Sequence, residues 1–265
     1  MTVPQFSRRA LSSAGLLLCL FVSSAVRAQS PQTITPPPPP FDPNASAQEL
    51  EQKADVLRAE KRYLDSLDAY RAALAKEPSA HLWNKEGFVL LLMSRYPEAK
   101  KSFDRAIKAD KKAPEAYNNR AFIEYNNKKY GRAIKDYKRA LALQPNNATF
   151  HKNLAASYFD RHDFKEATAE YRTAFQLDPT IFEHTSGFGV MAQSSSPEDR
   201  ARFWFMVAKL YARSGDVDHS LEYLRKAMEE GFKDYKQLYT EEEFATLRAD
   251  KRFTDLMAQK PEPIQ

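Results

Sequence analysis

Cysteine is nearly absent from this chain. Cys19 is the only one in 265 residues, and it lies in an N-terminal segment with the layout of a cleaved leader. The chain beyond that segment can form neither a disulfide nor a thiolate metal site, so an apolar core alone must hold the fold. Glycine is scarce too, and seven residues leave little room for a loop that cradles phosphate. No Gly-x-Ser-x-Gly, Walker or dinucleotide-binding motif occurs. The five histidines (His81, His151, His162, His184 and His219) have no second histidine or cysteine at ligand spacing. Carboxylates are plentiful, but they alternate with lysines in the pattern of a solvated helix face. These absences argue against an enzyme and imply no metal and no cofactor.

A strong excess of one charge is missing as well. The balance is +5, with 40 basic against 35 acidic residues. Arg8, Arg9 and Arg27 all fall within the first 28 residues, which contain no acid; without them the balance is +2. A chain of +2 with interspersed signs has no phosphate-binding field, so no nucleic-acid partner is expected.

Those first residues have the layout of a secretory signal. Arg8-Arg9 is succeeded by an uncharged apolar run, Ala10 to Val26, and Val26-Arg27-Ala28 ends in small residues at the two positions that a signal peptidase reads. The run is short for a membrane span of about 20 residues. Residues 1–28 are therefore expected to be a signal peptide, with the general and twin-arginine routes both open, and no integral membrane segment is expected after cleavage. Residues 29–46 form a proline-rich linker. Pro36 to Pro40 favour an extended polyproline rod, read here as a spacer.

The rest of the chain is rich in repetition. Ala99, Phe103 and Ala106 return as Ala133, Tyr137 and Ala140, then as Ala167, Tyr171 and Ala174, each step being 34 residues. The same shift takes Gly87 to Ala121 to Ala155. An earlier unit carries Ala54, Ser66, Tyr70 and Ala73. A constant period of this length means stacked helix-turn-helix units.

In these residues the chain resembles the tetratricopeptide-repeat (TPR) family. The resemblance implies an all-α solenoid of about five helix-turn-helix repeats, four of them within 47–181. Small residues at the eighth and twentieth positions let the paired helices approach. The aromatic at the twenty-fourth position fills the gap, and alanine at the twenty-seventh lets units stack. Arg120 and Asp136 fit a variant of the repeat in which the two pair between helices.

The period breaks once. The step from Ala167 to Ser220 is 53 residues, which places an insertion of 19. An inserted loop is expected over 182–200, with Ser196 capping a helix that has Pro197 in its first turn. A fifth TPR-like repeat is expected over 201–232. Residues 233–260 resemble the terminal segment of bacterial TPR proteins and should form a C-terminal helical cap. Thr240 to Glu243 reads as its capping box. Phe244, Leu247, Phe253, Leu256 and Met257 are the residues that would cover the last unit.

In TPR proteins the first helix of each unit lines a concave groove, through positions two, five, nine and twelve. On this register the peptide-groove candidates are Asn84, Phe88, Asn118, Phe122, Tyr125, Lys152 and Phe159. The asparagines could hold a peptide backbone and the aromatics could supply contact area, or the aromatics could pack between neighbouring first helices. Glu51 and Asp55 stand where a carboxylate-clamping TPR domain would need lysine and asparagine, so the groove should be acidic at its first unit and basic near Lys152.

The sequence thus describes an exported scaffold or adaptor in the bacterial cell envelope, periplasmic or secreted. It would bind a protein or peptide partner through the groove. A structural subunit that self-assembles through the solenoid ends or convex face is the alternative, and the oligomeric state stays open. If the leader is cleaved as read, the intact mass of the exported protein should correspond to a chain that begins at Gln29; retention of Met1 or a lipid adduct on Cys19 would contradict this.

Overall fold

The structure is a computed structural model that describes residues 41–183, 196–259 and 261. The expected signal peptide, most of the linker and the middle of the expected insertion lie outside the described residues. Those described fold into helices and short turns in one continuous unit.

Five helix pairs succeed one another. They are α1 (Ala47–Ala59) with α2 (Tyr63–Lys76), α3 (Ala80–Leu92) with α4 (Tyr96–Ala109), α5 (Pro114–Asn126) with α6 (Tyr130–Leu143), α7 (Ala148–Asp160) with α8 (Phe164–Leu177), and α9 (Pro197–Ser214) with α10 (Val217–Glu229). Within each pair the residues that set the period are fully buried. Tyr70, Phe103, Tyr137, Tyr171 and Leu224 have no exposed surface, and neither do Ala73, Ala106, Ala140, Ala174 and Ala227. The small residues opposite are as deeply enclosed. A Cβ added to Gly87 would stand 2.6 Å from the Phe103 ring. In the first and last pairs the small residue is a serine, whose hydroxyl donates to a carbonyl across the pair: Ser66 to Ala54 at 2.8 Å and Ser220 to Ala208 at 3.0 Å.

Every hairpin turns in the same way. The fifteenth residue of each unit takes the left-handed conformation: Lys61, Ser94, Lys128, His162 and, in the last pair, Gly215 with φ of 83°. The next amide then bonds back to the fifth residue before it, as Lys129 does to the Glu124 carbonyl at 2.8 Å. This is the Schellman closure of a helix. Glycine occupies the site without strain, whereas lysine, serine and histidine cost about 1 kcal/mol there.

Arg120 and Asp136 do pair, with Nε and Nη2 of the arginine donating to the two carboxylate oxygens at 2.7 and 2.8 Å. Asp136 is buried, and Arg120 also reaches Asp104 of the preceding pair at 2.8 Å, so the contact joins two repeats.

The linker is not wholly a spacer. Phe41 and Ala45 pack against the core of the first repeat, and Lys76 donates to the Pro43 carbonyl at 2.8 Å. The expected insertion is structured at both ends. Ile181 and Phe182 are buried beside α8, and α9 begins at Pro197 with Ser196 accepting from the Asp199 amide. Between the fourth and fifth pairs the small-residue packing gives way to rings. Phe203 meets Phe159, Tyr171 and Phe182 with centroids 5.8, 5.5 and 6.3 Å apart, and Phe175 meets Tyr211 at 4.8 Å.

The cap consists of α11 (Tyr235–Thr240), a 3₁₀ turn (Glu242–Phe244), α12 (Ala245–Arg248) and α13 (Lys251–Ala258). Leu238, Phe244, Leu247, Phe253 and Leu256 are buried, as a covering element requires. The expected capping box is absent. Thr240 ends α11 rather than beginning a helix, and its hydroxyl donates back to the Lys236 carbonyl at 3.1 Å. The turn after it is held instead by Arg248, which donates to the carbonyls of Leu238 and Glu241 at 3.0 and 2.8 Å.

Because Phe103 is fully enclosed, it cannot yield to an added methyl group. Gly87→Ala should therefore cost about 1–3 kcal/mol of stability by urea denaturation; an unchanged midpoint would show that the pair can open at no cost.

Candidate functional site

The first helices α1, α3, α5 and α7 place the expected groove residues along one ridge. Four of the seven candidates stay half-buried on it: Asn84, Phe88, Asn118 and Phe122. The other three do not. Tyr125 and Phe159 are buried, and Lys152 is only 7% exposed. Each has a structural role. The Tyr125 ring packs on Tyr130, and its hydroxyl donates to Asp160 of the next first helix. Phe159 packs edge-on against Phe164 and Phe203. Lys152 donates to the Ile181 carbonyl at 3.3 Å, and burial pushes its ammonium below the usual lysine range. These three are therefore corrected from groove contacts to packing residues. Their positions on the helix wheel are as expected, but the neighbouring helices and the Ile181–Phe182 turn close over that face.

The expected charge direction along the groove fails for a similar reason. Lys85 reaches Glu51 at 2.6 Å and Asp55 at 2.5 Å, and His81 lies 2.8 Å from Glu51. Burial opposes ionisation of Asp55, yet hydrogen bonds from Lys85 and Tyr70 hold its carboxyl below the ordinary aspartate value. The acids of the first repeat are thus engaged within the protein and present no open negative end.

The asparagines form something the groove register does not contain. Asn119 Nδ2 donates to Asn84 Oδ1 at 3.1 Å, Asn118 Nδ2 to Asn119 Oδ1 at 3.1 Å, and Asn153 Nδ2 to Asn118 Oδ1 at 2.9 Å. This relay of carboxamides ties α3, α5 and α7 together. Its inner end, Asn153, is buried and its Oδ1 accepts no hydrogen bond among the described residues. Its outer end, Asn84, is half-buried, as is Phe88 on the same helix, whose ring lies 5.8 Å from the Arg58 guanidinium. Asn119 and Asn153 fall outside positions two, five, nine and twelve, so the groove pattern does not find them. Both stand at position six and are 34 residues apart, so the period itself is the signal that marks them.

No group of three or more histidine, cysteine, aspartate or glutamate side chains among the described residues could hold a metal ion. No helix among them is long and apolar enough to cross a membrane.

Two tetratricopeptide-repeat family models match, one over residues 114–147 and the other over 201–230, in the third and fifth helix pairs. Among solved structures, PilF of Pseudomonas aeruginosa is similar at 19% identity, over 77% of this chain and 82% of that one, with a TM-score of 0.51. MamA from Desulfovibrio magneticus RS-1, from residue 41 onward, is similar at 16% identity over 69% of this chain and 94% of that one, with a TM-score of 0.50. At such identities these two structures carry the fold alone. No curated protein matches the chain by sequence. With its repeats, its buried pattern and these matches, the chain is a tetratricopeptide-repeat protein with an all-α solenoid fold.

The burial of Lys152 yields a test with a definite sign. Its folded pKa is depressed, so the unfolded chain binds more protons and this group's contribution to stability rises with pH toward the normal lysine value. Lys152→Met keeps the volume and removes the buried charge. The variant should be as stable as the wild type at neutral pH or up to about 1 kcal/mol more so, and the gain should shrink as pH rises toward the lysine range. A loss of several kcal/mol, or a difference independent of pH, would contradict a desolvated ammonium.

Proposed function

We propose that this protein is an exported scaffold or adaptor of the bacterial cell envelope that holds a protein or peptide segment along the first helices of its second and third repeats. The observation that carries the reading is the relay from Asn84 through Asn119 to Asn118, flanked by Phe88 and Phe122 and left half-open. A carboxamide both donates and accepts, so such a row matches the alternating groups of an extended backbone, while half-buried rings supply contact area. The repeat architecture supports the reading, because such solenoids use extended surfaces to bind other proteins and bring no chemistry of their own. Export is supported by the basic start, apolar run and small residues of the first 28 positions, which are a sequence argument only.

The relay decides which variants are informative. Asn84 accepts from Asn119 at its exposed end, so Asn84→Ala should lower affinity for a partner crosslinked from the envelope fraction by about three- to tenfold, with the melting temperature almost unchanged. Asn118→Ala should instead cost about 1–3 kcal/mol of stability, because it strands the amide of buried Asn153. If Asn84→Ala and Phe122→Ala both capture that partner as well as the wild type, the partner does not lie on this ridge.

A further inference from the structure

The register that lines the groove runs on into α9, where Arg202, Phe205 and Lys209 stand at positions two, five and nine of the fifth unit. Here the cap returns over the helix. Glu241 and Glu243 reach Lys209 at 2.7 and 3.6 Å. Between α8, α9 and these cap residues lies a pocket of about 210 Å³, with Phe205 and Met206 buried in its wall. Three arginines line it as well: Arg172 from α8, and Arg202 and Arg213 from α9. None of the three is ion-paired among the described residues.

This differs from the earlier repeats, where Lys85 is paired with Glu51 and Asp55, and Arg120 with Asp104 and Asp136. Arg172 is half-buried, while Arg202 and Arg213 are exposed at the pocket's rim. The Arg172 Nε is buried and has no hydrogen-bond partner among the described residues. The Arg202 guanidinium lies over the Phe164 ring, 4.1 Å from its centroid, which holds it at the pocket. Four cations therefore face two carboxylates, both within ion-pair distance of Lys209, although the buried Glu241 Oε2 makes no hydrogen bond among the described residues.

We propose that this pocket takes a carboxylate carried beside an apolar side chain of a bound peptide, a refinement that rests on the peptide-binding reading. The apolar group would lie on Phe205 and Met206, and the carboxylate would satisfy the arginines, whose forked N–H groups match its geometry. The volume is below the roughly 300–1,000 Å³ of pockets for drug-sized ligands and suits a single residue. A phosphate fits less well, because Glu241 and Glu243 at the same opening repel a dianion more than a monoanion. The carboxylate can come from a chain terminus or from an aspartate or glutamate side chain, and both offer the same group.

Four probes separate these cases when titrated into the full chain under amide NMR: N-acetyl-leucine, N-acetyl-leucinamide, the α-amide of N-acetyl-leucyl-glutamate, and inorganic phosphate. A terminal-carboxylate site binds the first, a side-chain site binds the third, and either should bind its acid at least about tenfold more tightly than the leucinamide, with shifts at α9 and the cap. Arg172→Gln and Arg213→Gln should each weaken that binding severalfold with unchanged melting temperature, while Arg252→Gln, on an exposed arginine of the cap, should not. Equal binding of the amide, stronger binding of phosphate, full binding by both pocket variants, or no saturable shift would each overturn the proposal. Any of these leaves the ridge reading standing, because that reading is tested by Asn84→Ala and Phe122→Ala.

Discussion

The ring at the twenty-fourth position of each of the first four units, pressed against a small residue of its partner helix, is the contact on which the rest of the array depends. Tyr70, Phe103, Tyr137 and Tyr171 are all fully enclosed, and at Gly87 no side chain at all fits between the helices. This fixes the separation within each pair. It therefore also fixes where the next first helix lies, and so brings asparagines from three helices within hydrogen-bond reach of one another. The cost of using tyrosine is visible. Tyr70 finds Asp55 for its hydroxyl at 2.5 Å, whereas those of Tyr137 and Tyr171 are buried without a partner among the described residues. Burial raises both phenols well above the ordinary tyrosine range. A lost hydrogen bond of about 1–3 kcal/mol is of the same order as the stabilisation from burying the ring, so the position selects for shape more than for polarity.

Where the period breaks, the packing rule changes with it. The fifth pair is joined to the fourth by Phe159, Tyr171, Phe175, Phe182 and Phe203 rather than by alanines. Phe182 comes from the turn after α8, so the start of the expected insertion takes part in the core. Beyond it the cap performs two functions. It covers the apolar face of a unit that has no successor, and its Glu241 and Glu243 close one side of the groove, which turns an open ridge into a pocket.

Much of the fold is legible in the sequence because a repeat states its rule several times over. Gly87, Ala121 and Ala155 carry the same message in three units, and each checks the others. The helix start at Ser196-Pro197 is legible because it rests on local chemistry alone. The features that stay hidden depend on how closely neighbouring elements approach. Tyr125, Lys152 and Phe159 stand at wheel positions that would face a groove, yet the side chain that covers each one comes from a different repeat. Glu51 and Asp55 read as an acidic end until Lys85, some 30 residues away, is seen to lie on them. The capping box at Thr240 fails because four residues can match a local motif while the chain has already committed Thr240 to the end of α11. The left-handed residue of the first four hairpins is hidden by its chemistry, since lysine, serine and histidine do not advertise a positive φ as Gly215 does in the fifth.

Five repeats and the cap form one body, with the aromatic seam between α8 and α9 joining the fifth pair to the first four. Hydrogen–deuterium exchange on the full chain, resolved helix by helix, tests this most directly. The amides of α3 to α10 should open with nearly the same free energy, with faster exchange confined to α1 and α13 at the ends. A distinctly lower protection of α9 and α10 together with the cap, while α3 to α8 remain protected, would show that the seam is a hinge between two separate units and would contradict a single body.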